Sequence, residues 1–248
     1  MPLLTVDGIV IKNADYKEND RMLTVFTPEY GALGVSVKGC RKKGNTNIAC
    51  SEIFSFCEFV LFENKGKYSV NSFSLKEAFY PLREDFDKLS CASFCCELVY
   101  LSSDHGNVKS DALFSMLYYA LSYICYTDNN PLDLALCFAF RALLELGYAP
   151  SLTSCAICGG DLRQSTKAAF SSTHGGALCS KCAGGFDVHI SVLSLEAVRR
   201  MMKLQDSEMR KVVLPPEVRE ELLPLTVEFC ETVLERKLKS GKTIGKIV

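Results

Sequence analysis

The sequence predicts an α+β protein: a small antiparallel β-barrel, then an all-helical domain interrupted by a four-cysteine insertion. Three observations predict it. The first eighty residues alternate like strands, apolar residues switch to three-and-four spacing from Leu82 onward, and two CxxC pairs break the helical part. Taken in order, residues 5–12 open the alternation. Residues 21–27 and 32–38 flank Pro28-Glu29-Tyr30-Gly31, with Pro and Gly placed as a hairpin loop needs them. Residues 52–62 and 67–75 bracket a second turn, Glu63-Asn64-Lys65-Gly66. Five short strands in about eighty residues suit a barrel of the OB type, because closure removes exposed edges. Periodicity alone does not separate it from an SH3-like barrel.

Helical spacing then runs through Phe86, Leu89, Phe94, Leu98 and Leu101, through Leu113, Leu117, Leu121 and Ile124, and from 132 to 146, where Gly147 and Pro150 stop it. Ser194 offers a cap for a helix over 196–204. Pro215-Pro216 starts a last long helix reaching about Lys239. The predicted division is an OB-fold domain over 1–80 and a helical domain over 81–248, with the cysteine segment 151–189 inserted as an excursion too small to own a core. The sequence shows no internal repeat and no low-complexity tract.

Composition bounds the function. Hydrophobic residues make up 48% of the 248-residue chain, ample for a core. The start lacks a basic region followed by an apolar block, and the longest apolar stretch, 112–126, carries Ser115 and Ser122 and is too short for a membrane span. The expectation is a cytoplasmic protein with reduced thiols and no membrane partner. The net charge of −1 advertises no nucleic acid, but it is unevenly spread: residues 1–80 carry +1 and residues 81–248 carry −2. Lys38, Arg41, Lys42 and Lys43 crowd into KGCRKK. Arg236, Lys237, Lys239, Lys242 and Lys246 fall in the last thirteen residues, which hold no acid.

Cys155-x2-Cys158 and Cys179-x2-Cys182, with twenty residues between the pairs, have the spacing of one tetrahedral Zn²⁺ site. Gly159 and Gly160 follow the first pair and Gly184 and Gly185 the second, and glycine tolerates the positive φ that turns N–H groups toward sulfur. Four thiolates leave no open position for water or substrate, so the predicted role is structural, with one ion per chain. His174 and His189 lie near in sequence but read as surface or supporting residues. The other nine cysteines sit mostly in apolar runs and read as small buried hydrophobes.

Enzyme chemistry finds no footing. Ser240-Gly241-Lys242-Thr243 imitates the end of a phosphate-binding loop, but Arg236 stands where that motif needs glycine, and a helix precedes it instead of a strand. Of three histidines, His105 has polar neighbours and no evident partner, and nucleophile-elbow and HExxH patterns are absent. Neither a catalytic centre nor a small-molecule substrate is expected.

The block from Gly8 to Lys43, GIVIKNADYKENDRMLTVFTPEYGALGVSVKGCRKK, followed by FAFRALLELGYAPSLTSCAICG from Phe138 to Gly159 and then the second CxxC, resembles the RecO family of bacterial DNA repair and recombination mediators. The two blocks cover about a quarter of the chain, and their order and separation fit over its whole length. The resemblance implies an N-terminal OB fold, a helical C-terminal domain and a zinc motif on Cys155, Cys158, Cys179 and Cys182. It implies binding of single- and double-stranded DNA, annealing of complementary strands and, with RecR, loading of the recombinase onto DNA coated with single-strand-binding protein (SSB), in the bacterial cytoplasm at the nucleoid. Lys38, Arg41, Lys42 and Lys43 fall on the family's basic hairpin-end segment.

An OB fold binds single strands through a positive groove and flat side chains on which bases stack. Lys12, Lys17 and Arg21 extend the charge of KGCRKK if the first strands pair as drawn. Phe26, Tyr30, Phe54, Phe56 and Phe59 include candidate stacking platforms, although strand spacing makes most of them core. The acidic, apolar-ended SSB tail calls for an apolar pocket rimmed by cations, with Arg141, Arg199, Arg200 and Lys203 as donors on helices. Arg141 has an alternative partner in Glu145 on the next turn. The rival class is a zinc-ribbon adaptor or transcription factor that binds protein and anneals no DNA.

Overall fold

The structure is a computed structural model, and it describes residues 3–103, 109–163, 165, 167–185 and 187–247. His105 lies outside the described residues. The chain divides into two compact units, residues 1–125 and 126–248.

The first unit is built on a closed barrel of strand order β1-β2-β3-β5-β4. Strand β1 (Leu3–Tyr16) is long enough to serve two neighbours: its first half pairs with β4 (Phe56–Asn64), its second with β2 (Asp20–Thr27). The hand-over falls at Ile9, just before a bulge between Val10 and Lys12. A bulge increases local twist, which lets one strand bend around a small barrel. Gly8 sits at this bend, where a Cβ would collide with the Val25 side chain. β2 turns into β3 (Gly31–Val37), and β3 lies parallel to β5 (Lys67–Glu77) at Val35↔Tyr68 and Ser36↔Ser69, which closes the barrel in OB connectivity.

Alternation fills the interior with Val6, Val10, Leu23, Val25, Val35, Phe59 and Leu61. Each such side chain contributes about 1.5–3 kcal/mol by leaving water. Cys40, Cys50 and Cys57 join this core. Burial pushes the Cys50 and Cys57 thiols up to about 12. Helices α1 (Phe86–Ser103) and α2 (Asp111–Tyr126) follow the barrel. Phe114 of α2 lies 6.1 Å from Phe26 and 5.9 Å from Phe56, and Tyr118 lies 5.5 Å from Phe56.

In the second unit α3 (Pro131–Glu145), capped by Asn130, packs against α4 (Val192–Met201) and α5 (Pro216–Val233). Asp133, almost fully buried on α3, accepts from Arg219 Nε at 2.6 Å, from Arg219 Nη2 at 3.3 Å and from the Leu214 N–H at 3.0 Å. A carboxylate survives burial when paired and hydrogen-bonded in this way. A short helix α6 (Gly241–Ile244) ends the chain, and a three-stranded sheet of order β7-β6-β8 (Gly176–Leu178, Ala168–Ser171, Val188–Ile190) supports the cysteine segment.

The α+β class, the barrel and the helices that follow agree with the sequence, and some element bounds do not. β4 starts at Phe56, not at 52, because residues 46–51 form a 3-10 turn and the next stretch docks edge-on to β1, with the Phe54 N–H on the Val10 carbonyl and the Val10 N–H on the Ser55 carbonyl. Ser191, not Ser194, caps α4: its hydroxyl oxygen accepts the Ser194 N–H, while Glu221 takes the Ser194 hydroxyl. The helix over 216–239 stops at Val233, two residues before Glu235 turns to positive φ. The sheet β6–β8 went unforeseen.

Candidate functional site

KGCRKK forms the loop after β3, and two of its backbone N–H groups dock it on the β1–β2 hairpin. The Arg41 N–H donates to the Asn19 carbonyl at 3.0 Å, and the Gly39 N–H donates to Asp20 Oδ1 at 2.7 Å. Gly39 takes φ +62°, a conformation side-chain-bearing residues rarely adopt, so the loop reverses there and returns to Asn45, whose side-chain amide closes it on the Gly39 carbonyl at 2.9 Å. The result joins Lys38, Arg41, Lys42 and Lys43 to the turn that carries Lys17. Arg41, Lys42 and Lys43 are exposed.

The outlying cations behave differently. Arg21 is turned inward onto Glu52 at 2.8 Å and Asp15 at 3.2 Å, and it donates to the Ser51 hydroxyl at 3.2 Å. The Glu52 hydrogen bond holds its pKa above the ordinary arginine value. Asp15 reaches Arg41 with its other oxygen at 3.3 Å, so Glu52, Arg21, Asp15 and Arg41 form a chain of alternating charge. Lys12 is exposed but holds its ammonium 4.0 Å from the centre of the Tyr100 ring on α1, a cation–π contact.

None of the five expected stacking candidates is exposed. Phe26, Phe54 and Phe59 are fully buried, Phe56 contacts α2, and Tyr30 packs against the barrel interior. Alternation turns Phe59 into the barrel, whereas Phe26 and Phe56 lie on the outer face and are covered by Phe114 of α2.

In the second unit the four cysteines converge. The sulfurs of Cys155, Cys158, Cys179 and Cys182 all lie within 4.8 Å of one another, with Cys158 Sγ and Cys179 Sγ 3.8 Å apart. Each pair sits in a tight turn: the Gly159 N–H returns to the Cys155 carbonyl at 2.9 Å, and the Ala183 N–H returns to the Cys179 carbonyl at 3.0 Å. Of the four flanking glycines, only Gly159 takes a positive φ, +72°, so the sequence expectation holds there and fails at Gly160, Gly184 and Gly185. Gly176 matters more. It lies so close to the Ser151 backbone that a Cβ would collide with it, and this approach lets the Ala177 N–H reach the Ser151 carbonyl at 2.7 Å, joining the limbs that carry the two pairs.

The thiols show how the cluster is charged. Burial raises Cys155, but N–H groups of Cys158, Cys179 and Ile157 outweigh it and bring the thiol down to about 6. N–H groups of Lys181 and Cys182 lower Cys179, whereas the crowding sulfurs of Cys179 and Cys158 push Cys182 up to about 12. Four sulfurs so close cannot all ionise without a cation among them, and the donor set fits a thiophilic metal ion. His174 and His189 stay outside this group. His174 Nδ1 lies 3.0 Å from the Ser171 hydroxyl.

Among the helical arginines, Arg141 pairs with Asp206 at 2.6 Å and is nearly buried. Arg199 serves the first cysteine limb, donating to the Leu152 carbonyl from Nε at 3.1 Å. Arg200 is 79% exposed and edges an apolar groove of about 310 Å³ lined by Leu193, Met201, Val213 and Val218, with Lys211 on another edge.

An OB barrel carrying a basic loop at one end, followed by helices that hold a tetracysteine cluster, defines an OB-fold protein with a cluster that could hold a metal ion. The family profile described as Recombination protein O N terminal matches residues 1–79, and the profile Recombination protein O C terminal matches residues 83–242. The DNA repair protein RecO of Alkaliphilus metalliredigens is 31% identical over 246 residues, covering 98% of this chain and 99% of that one. The DNA repair protein RecO of Acetivibrio thermocellus is 30% identical over 252 residues, covering 100% and 99%. The chain belongs to the RecO family of DNA repair proteins.

Proposed function

We propose that the protein is a recombination mediator that binds single- and double-stranded DNA without sequence preference, anneals complementary strands and, with RecR, loads the recombinase onto SSB-coated single strands. The observation that carries the reading is the docking of KGCRKK on the β1–β2 turn, which gathers Lys38, Arg41, Lys42 and Lys43 at one end of an OB barrel. Cations gathered there attract phosphates and screen the repulsion between two strands, while base pairing itself supplies the sequence information. Asp15 does not cancel this charge. Its bond to Arg41 is exposed, and such pairs contribute about 0–1 kcal/mol, so a phosphate competes with it easily.

The metal of this reading is one structural Zn²⁺. A Zn²⁺ bound to four thiolates at about 2.3 Å has a sulfur–sulfur edge of about 3.8 Å, which is the separation of Cys158 and Cys179. The SSB tail is assigned to the groove of Leu193, Met201 and Val213, where Arg200 and Lys211 supply the cations an acidic peptide needs. The functional division follows the sequence: residues 1–80 bind DNA, residues 81–248 present partners, and segment 151–189 carries the metal. The protein acts in the cytoplasm at the nucleoid, without catalytic chemistry. No described helix is long and apolar enough to cross a membrane.

Two assays test this. The wild-type protein should accelerate annealing of complementary oligonucleotides, and charge reversal at Arg41, Lys42 and Lys43 should abolish the acceleration. The SSB tail peptide should be retained by the wild type and lost by Arg200→Glu. Annealing unaffected by charge reversal would refute the rim; tail binding unaffected by Arg200→Glu would refute the groove.

A further inference from the structure

We infer that Tyr16 is the platform on which a base of bound single-stranded DNA stacks, an inference that rests on the DNA-binding reading above. Tyr16 is the last residue of β1 and is 47% exposed. It pairs across the hairpin with Asp20, whose carboxylate receives the Gly39 N–H of the basic loop. Lys17 takes φ +54°, which tightens the turn, and its ammonium lies 5.3 Å from the centre of the Tyr16 ring. Asn19 in the same turn accepts the Arg41 N–H, and Asp15, the neighbour of Tyr16, binds the Arg41 guanidinium. An exposed aromatic ring is thus fixed inside the cation cluster, and single strands are held by that combination of phosphate contacts and π-faces.

Two more exposed rings of the first unit lack this setting. Tyr80, 61% exposed, lies between Glu77 and Glu84 in sequence. Phe86, 55% exposed, is flanked by Glu84, Asp85 and Asp87, whose field repels a phosphate chain. Tyr16 has acids beside it too, Asp15, Glu18 and Asp20, but Asp15 is paired with Arg21 and Arg41 and Asp20 holds the Gly39 N–H, so the docked basic loop is what separates Tyr16 from the other two rings.

The chain has no tryptophan, so Tyr16→Trp supplies a single fluorescent reporter. The probes are an oligo-dT strand and an abasic strand of equal length. Oligo-dT should quench the tryptophan, whereas the abasic strand should bind without quenching. Tyr16→Ala should weaken oligo-dT binding about 5- to 100-fold, leave abasic binding and the salt dependence unchanged, and melt at the wild-type temperature. Tyr16→Phe should retain oligo-dT affinity. Unchanged oligo-dT affinity in Tyr16→Ala, an equal loss toward both strands, or an unquenched Tyr16→Trp would overturn the assignment while leaving the basic rim standing. A wild type that binds neither strand would overturn the DNA-binding reading and the Tyr16 assignment with it.

Discussion

Arg199 on α4 donates to the carbonyl of Leu152, three residues ahead of the first cysteine of the cluster, and its Nη2 also reaches the Leu162 carbonyl at 3.5 Å beyond the first pair. One guanidinium thus spans both ends of the first CxxC turn and ties it to the helix that lines the apolar groove. A planar fork of donors suits this task, and lysine could not replace it.

Arg199→Met keeps the packing and removes the donors. Charged hydrogen bonds of this kind contribute about 1.5–3 kcal/mol, so the ion should be extracted by a chelator roughly tenfold faster or more. A colorimetric chelator assay measures this. Wild-type extraction rates would mean that α4 does not hold the cysteine limb.

Metal binding should release protons. At pH 7 the Cys155 thiol, down to about 6, is already largely ionised, whereas Cys182, up at about 12, must give up its proton to coordinate. Affinity therefore rises with pH and falls on acidification. Calorimetry in two buffers of different ionisation enthalpy should show at least one proton released per ion.

Breaking the buried pair between α3 and α5 should be costly. Asp133→Ala leaves Arg219 uncompensated and should destabilise the protein by about 3–5 kcal/mol, while the double variant Asp133→Leu, Arg219→Met should recover most of the loss. Urea unfolding of the single and double variants decides between them.

Gly176→Ala should unseat the second cysteine limb, because the new Cβ meets the Ser151 backbone. A loss of about 2–3 kcal/mol is expected, together with weaker metal retention, whereas Gly185→Ala, at a position with open space around it, should change neither. Thermal melts with and without metal measure both.

The elements the sequence revealed are those governed by local periodicity. Alternation through Val6, Val10, Leu23 and Val25 disclosed the barrel, and the doubled CxxC disclosed a cluster whose sulfurs converge to within 4.8 Å. Strands β6–β8 are three or four residues long, too short for a period of two to register, and pairing with one another stabilises them more than their own propensity does. The fates of Arg21 and Arg199 were equally hidden. Nothing local says that Glu52 waits for Arg21 across the barrel, or that the Leu152 carbonyl waits for Arg199. Tyr16 was legible in principle, as the aromatic ending a strand beside Lys17, but the more numerous phenylalanines, which proved to be core, drew the stacking expectation.

The most direct test of the central claim is the affinity for a fluorescent single strand, measured by anisotropy across a series of salt concentrations. Neutralising about four to six phosphates at the rim predicts that log affinity falls against log salt with a slope of roughly −3 to −5. In the variant with Lys38, Arg41, Lys42 and Lys43 changed to glutamate, affinity should collapse and the slope should flatten. A wild type that ignores the strand even at low salt, or a variant that keeps its full affinity and slope, would contradict the account.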